Sequence, residues 1–259
     1  MPAVIETEDN NLFVTKFRGA GQGARVLIAE LIVGGIAEIL DLPVPDLCLI
    51  MLDESFGRSE RDPEIQDILA GSRGINVGML FLEGALNFNP LVDHRLLTAQ
   101  MASDVVWLDA FTTNIDRTVR NPNMLVWGRD VWLIDHGSAL YFHHDWESVE
   151  PSRAYSPFAP IRDHVLLPYA SDLEGADARA KNRITEKALR KILDSVPDEL
   201  LLDLPEGRAQ SFESADAYRD AYLDYLIRRL SRSEGFVDEA RHAREQLHRE
   251  PKRTLSYRR

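Results

Sequence analysis

Apolar positions recur along this chain with two periods. Short runs rich in branched and aromatic side chains stand at residues 12–17, 47–52, 76–82, 124–127 and 131–134, and these read as strands. Longer runs with a helical period fill residues 24–40, 95–113, 184–195, 213–232 and 235–250, with a short helix at 63–69. The 24–40 run is apolar almost all round, so it predicts a buried helix. The 95–113 run places Leu97, Met101, Val105, Leu108 and Phe111 on one face. Strands and one buried helix come first, and the remainder is helical.

The stretch from Asn114 to Gly137, NIDRTVRNPNMLVWGRDVWLIDHG, carries the most chemistry. Gly128-Arg129-Asp130 joins two short β-rich runs with the glycine content of a hairpin turn. With the turn centred on Arg129, Met124 faces Ile134 and Asn123 faces Asp135, while Asn121 lies near Gly137. Asn121 and Asn123 are then expected beside Asp135 at the open end of the hairpin, with Asp116 one loop away. Hard oxygen donors grouped in this way suit Mg²⁺. The spacing sharpens the expectation. In kinase catalytic loops a base Asp precedes a metal-binding Asn by about five positions, and a second metal-binding Asp opens a turn after the next strand. Asp116 and Asn121 have that spacing, and Asp135-His136-Gly137 closes an apolar strand. Asp, Asn and Gly also dominate ordinary turns, so either half alone is ambiguous.

Upstream, Lys16 shares a strand face with Leu12 and Val14. Glu30 shares a helix face with Val26, Val33 and Ala37. Each charge is stranded on an apolar stripe, and an unpaired buried charge is costly. A Lys16–Glu30 pair satisfies both, and it is the arrangement that positions phosphates in kinases. Between them, Arg18-Gly19-Ala20-Gly21-Gln22-Gly23 reads as a flexible connector or a loop touching phosphates. The run at 76–82 leads into Phe81, Leu82, Glu83 and Gly84, candidates for an inter-lobe hinge whose backbone binds adenine. The His143-His144-Asp145 cluster follows the Asp135 turn. Adjacent histidines on a strand point opposite ways, so a structural segment is favoured there over a metal site.

Composition narrows the classes. The chain has 259 residues, 44% of them hydrophobic, enough for one large domain or two lobes. A net charge of −12 argues against a general nucleic-acid binder. The single cysteine, Cys48, excludes an internal disulfide, fits a reducing cytosol and reads as a buried core thiol. The N-terminus is acidic and has no apolar signal region. The longest apolar stretch, 26–40, is interrupted by Glu30 and Glu38 and is too short to span a bilayer. A cytoplasmic protein is the expectation. The basic tail at 252–259 reads as frayed.

These motifs together resemble the HipA-like kinases. The resemblance rests on VTKFRGAGQGARVLIAELIVGGIAEILDLPVPD, TNIDRTVRNPNML and WLIDHGSALYFHHDW, and it covers residues 12–146 most clearly. It implies an α+β, two-lobed protein-kinase-like fold, with a small β-rich N-lobe at 1–84 and a mainly helical C-lobe at 85–259. It implies ATP and Mg²⁺ as cofactors and a hydroxyl-bearing acceptor, foremost a protein Ser or Thr. Lys16 would contact the α- and β-phosphates and Glu30 would orient it. Asp116 would be the catalytic base, with Asn121 and Asp135 holding Mg²⁺. Arg117 would support the loop or screen phosphate charge. Three departures stand out. The metal turn has His136 where the kinase motif has Phe. The extra N-terminal domain of full-length toxin kinases is not expected. With fifteen residues before Lys16, a first strand and its phosphate-covering loop are expected to be missing, leaving a strand near Ala3–Glu6 and a turn at Asp9-Asn10-Asn11. Two other readings stay open: a nucleotide-binding interaction module without catalysis, and a metal-dependent phosphohydrolase built on Asp116, Asp135, His136 and His143.

Overall fold

The structure is a computed structural model in which residues 2–21, 23–146, 149–203 and 212–249 are described. Strands β1 (Pro2–Glu6) and β2 (Leu12–Lys16) form an antiparallel hairpin closed by a hydrogen bond from the Thr7 N–H to the Asn11 carbonyl. Helix α1 (Ala24–Ile39) follows, then β3 (Leu47–Leu52), α2 (Pro63–Ala70) and β4 (Gly74–Leu80). The four strands make one antiparallel sheet in the order β1-β2-β4-β3. A second sheet, β5-β6-β7, is built from β5 (Leu86–Asn87), β6 (Met124–Trp127) and β7 (Asp130–Leu133). Helix α3 (Ala99–Phe111) lies between β5 and β6 in the chain. The rest is helical: α4 (Leu173–Arg183), α5 (Glu186–Asp194), α6 (Asp198–Leu201), α7 (Ala215–Ser231) and α8 (Glu234–Arg249). The fold is therefore α+β, with a small antiparallel sheet ahead of a helical body.

Local chemistry sets these boundaries. Asp62 caps α2 by accepting from the Glu64 and Ile65 N–H groups, and Pro63 occupies the first helical position, where its missing N–H costs nothing. Thr98 caps α3 through the Met101 N–H. Helix α1 ends as Asp41 turns left-handed (φ 56°) and the Leu42 N–H returns to the Ala37 carbonyl, just before Pro43.

Two apolar cores result. A small one, with Phe17, Ile50 and Leu52, packs one sheet face on Ile68 and Leu69 of α2. The large one holds nearly the whole helical body, and α1 belongs to it: Ala29, Ile32, Val33, Ile36 and Ala37 are fully enclosed in the same cluster as Leu189, Leu193 and Leu200. Among the described residues, four buried arginines (Arg25, Arg117, Arg219 and Arg229) staple the body together. Arg229 donates to the carbonyls of Ala110 and Phe111 at the end of α3, and to those of Ala154 and Ser156. These are the orphan acceptors that a helix end leaves behind.

Several expectations need correction. Met124 faces Leu133 rather than Ile134, because Gly128 (φ 64°) and Arg129 form a two-residue turn. Glycine with positive φ in the first turn position fits the right-handed strand twist and shortens the loop by one residue. Cys48 is half-buried on β3 rather than sealed in the core. His143 and His144 lie in a 3-10 turn, Tyr141–His144, not on a strand. Helix α3 starts at Ala99, after a separate 3-10 turn at Asp93–Leu96. The short elements β5, α4 and α6 had no expectation attached. Residue 250 and the 252–259 tail lie outside the described residues. Among the described residues, no helix is long and apolar enough to cross a membrane.

The buried histidines make stability pH-dependent. Burial holds the His143 ring well below the usual histidine range, and burial also lowers His164 despite the neighbouring Asp109 carboxylate. Both groups take up protons more readily when unfolded, so stability is lost as pH falls below the unfolded value of about 6.5. Each contributes up to about 1.4 kcal/mol per pH unit in that window. Urea unfolding between pH 7.5 and 5 is expected to show stability falling with pH, and His143→Phe to flatten that slope even though it lowers stability overall.

Candidate active site

Lys16 ends β2, and Glu30 sits midway along α1. The Lys16 ammonium binds Glu30 Oε1 and, at 2.5 Å, Asp135 Oδ1. Glu30 is almost fully buried, whereas Asp135 is half open to the cleft. Burial alone would push the Lys16 ammonium down, but the two carboxylates outweigh it and raise it above the usual lysine range. Burial likewise would raise the Asp135 carboxyl, and the Lys16 charge reverses that and holds it low. Each charge is therefore kept by the other.

Asp116 lies in the loop after α3. Its Oδ2 accepts from Asn121 Nδ2 (2.8 Å) and Asn123 Nδ2 (3.3 Å), and its own N–H donates to Asn114 Oδ1 (3.1 Å). The Asn123 amide also reaches the Asp135 carbonyl at 3.5 Å. Asn123 thus touches both groups, and the Asp116–Asn121 pair sits across it from the Lys16–Glu30–Asp135 cluster. Thr113, Asn123, Asp135 and Leu140 all have left-handed backbones (φ 48–56°), although none is glycine. A branched residue such as Thr113 adopts this region only when its surroundings impose it.

Of the two readings of Arg117, its geometry matches the loop support. Its side chain is fully enclosed and ion-paired with Asp109. Nε donates to Asp109 Oδ2 at 2.6 Å, Nη1 to the carbonyls of Asn123 and Ile134, and Nη2 to His136 Nδ1 at 3.2 Å. One guanidinium therefore spans the Asp116 loop, the hairpin mouth and the Asp135 turn. Asp109 is the buried counter-charge, and it also accepts from Asn114 Nδ2 and His164 Nε2. Burial would raise its carboxyl, but Arg117 and His164 hold it far below the usual range. His164 Nδ1 accepts the Leu166 N–H, so its proton rests on Nε2, aimed at Asp109. Likewise, arginine only donates, so His136 Nδ1 is an acceptor and the ring proton lies on Nε2. Burial, then the Arg117 charge, pushes His136 down to about 3, and it is neutral.

The candidate hinge residues follow β4. The Phe81 N–H donates to the Leu12 carbonyl, and the Glu83 carbonyl accepts from Trp127 Nε1 at 3.0 Å. Leu82 is buried, and Gly84 has φ 77°. Gly137 shows how closely α1 approaches the Asp135 turn. A Cβ added there would lie 2.5 Å from Val26 Cγ1 and 3.2 Å from Glu30 Oε1, so only glycine fits.

A model of the HipA-like kinase family matches residues 1–223. The chain belongs to the HipA-like kinase family. Among solved structures, the Helicobacter pylori proinflammatory kinase CtkA superposes with a TM-score of 0.54 at 13% identity. The superposition covers 96% of this chain and 92% of that one, and it shows a shared fold. No curated protein sequence matches the chain. The protein is thus a kinase-type phosphotransferase by family.

Asp109, His164 and Arg25 escaped the sequence reading. Asp109 had one signal: a lone carboxylate in the apolar run Val105-Val106-Trp107-Leu108-Asp109-Ala110-Phe111. Arg117 owes its placement to that carboxylate. Removing the guanidinium strands a buried charge, which costs about 3–5 kcal/mol. Arg117→Met is expected to lower the unfolding free energy by that amount in urea titration, and a loss under about 1 kcal/mol would show Asp109 to be compensated otherwise.

Proposed function

We propose that this kinase transfers the γ-phosphoryl group of ATP, with Mg²⁺, to a hydroxyl acceptor, foremost a Ser or Thr of a protein. The observation that carries this reading is the Lys16 ammonium shared between Glu30 and Asp135. A lysine oriented by a helix glutamate and poised beside a half-open aspartate suits phosphate oxygens on one side and a divalent cation on the other.

The donor chemistry fits Mg²⁺. Asp135 and Asn121 offer only hard oxygens to an ion. Among the described residues no group of three or more His, Cys, Asp or Glu forms a self-contained metal cage. Mg²⁺ is typically held by one or two carboxylates and completed by substrate phosphates and water. Bound there, it would neutralise charge on the phosphates. The ammonium is already matched by two carboxylates, Glu30 and Asp135, so nucleotide without a cation would meet net repulsion.

The other roles follow from placement. Val4 and Val14 pair across the sheet on the same face as Lys16, with Met79 beside them, and Val4 is exposed. This apolar surface suits a purine. Phe81–Gly84, just after β4, would meet the adenine edge through backbone groups other than the Phe81 N–H and the Leu82 and Glu83 carbonyls, which are already engaged. Asp116, oriented by Asn114, Asn121 and Asn123, would accept the proton of the attacking hydroxyl. A phosphohydrolase using His136 and His143 is disfavoured, because both rings are buried and their Nδ1 atoms are engaged by Arg117 and Tyr222.

Asp116→Asn separates these roles. General-base assistance is worth about 10²–10⁴ in rate, so transfer of labelled γ-phosphate is expected to fall by that factor while ATP·Mg²⁺ still raises the melting temperature. Full transfer by the variant would remove Asp116 from the mechanism. Thermal stabilisation of the wild-type protein with no transfer to any protein or to itself would instead make this a nucleotide-binding module.

A further inference from the structure

The N-terminal end of α1 lacks the usual anchors. Gly23 occupies the cap position and makes no side-chain capping bond, and the first turn carries no acidic residue. A glycine-rich connector precedes it. Yet Glu30, about 9 Å beyond the first residue of the same helix, must hold its place against Lys16 and Asp135.

Arg25 supplies what the cap does not. It lies in the first turn of α1 and is 9% exposed. Its Nη1 donates to the main-chain carbonyl of His143. The segment that leaves the Asp135 turn is itself fixed to the body at its far end. The Leu140 N–H donates to the Thr112 carbonyl at 2.7 Å, and the His143 ring, fully buried, has its Nδ1 2.8 Å from the Tyr222 hydroxyl of α7. Val26, the next residue of α1 after Arg25, packs directly against Gly137. The helix is thus bound to the Asp135 turn by contact at Gly137 and by a charge-assisted bond at His143.

We infer that Arg25 is a positioning residue for phosphoryl transfer: through the His143 carbonyl it pins the start of α1 to the segment leaving the Asp135 turn, and so fixes Glu30 and Lys16 relative to Asp135. Arg25 touches neither nucleotide nor acceptor in this scheme. The kinetic part of this inference rests on the phosphotransferase reading; the pinning itself does not.

The test compares Arg25→Met, which keeps length without donors, with Arg25→Lys, which keeps a cationic donor, in the full chain. Misplacement of a reacting group by about 1 Å costs up to about 10²-fold, so Arg25→Met is expected to lower kcat for γ-phosphate transfer by about 10- to 100-fold with KM for ATP·Mg²⁺ changed less than about threefold. Arg25→Lys is expected to recover most of the loss. Hydrogen exchange without nucleotide is read in parallel, and in Arg25→Met it is expected to quicken together at residues 25–29 and 138–143 and nowhere else. Equal protection in the two proteins, or a lysine variant no better than methionine, overturns the inference. Should Arg25→Met not fold, Arg25→Lys decides alone: wild-type exchange at both segments supports pinning, and faster exchange at only one overturns it. A wild-type protein without transfer activity but with the paired exchange response would sink the phosphotransferase reading and leave the pinning standing.

Discussion

A single ammonium shared by two carboxylates connects the sheet, the buried helix and the Asp135 turn. Lys16 comes from β2, Glu30 from α1 and Asp135 from the loop after β7, so three distant segments meet at one nitrogen. Glu30 is enclosed in apolar surroundings that would otherwise expel it. Lys16 meets that need, and Asp135 takes the share of lysine charge that faces the cleft. An incoming cation could take over at Asp135 while phosphate oxygens take over at Lys16, with little change in local charge. On the proposed reading, that exchange would couple nucleotide binding to cation binding.

Beneath the cleft, buried arginines do the structural work that regular hydrogen bonding cannot. Loops such as 112–123 and 134–143 carry left-handed residues and irregular carbonyls, and each needs donors. Arg117 serves the Asp116 loop and the Asp135 turn at once, with Asp109 and His164 as its buried partners. Arg229 serves the end of α3, and Arg25 serves the segment after the Asp135 turn. A guanidinium presents five donors in a rigid plane, so one side chain satisfies several acceptors that no strand or helix reaches. The site is irregular where chemistry requires it, and these side chains make the irregularity affordable.

The legible part of this site was local. Spacing within one hairpin placed Asp116, Asn121 and Asp135 near one another, because a short turn leaves the chain few choices. The Lys16–Glu30 pairing was legible because each charge stood alone on an apolar stripe. The family match and the shared fold with CtkA agree with the expected architecture. What stayed hidden depended on distance or on single dihedrals. The hairpin register slipped by one residue because the turn used Gly128 and Arg129 alone. Arg117 turned inward because Asp109, eight positions earlier, lies buried at the end of α3, and a lone Asp in a helix does not announce its burial. Left-handed Thr113 and Asp135 carry no glycine to mark them. The role of Arg25 needed the coordinates of His143, more than a hundred residues away.

Calorimetric titration of ATP in the presence and absence of Mg²⁺, with wild-type protein and Lys16→Met, tests the shared-ammonium account most directly. The account predicts that wild-type protein binds ATP only when Mg²⁺ is present, and that Lys16→Met, less stable because Glu30 loses its cation, no longer binds it at a temperature where it is still folded. Equal ATP binding with and without Mg²⁺, or undiminished binding by Lys16→Met, would contradict it.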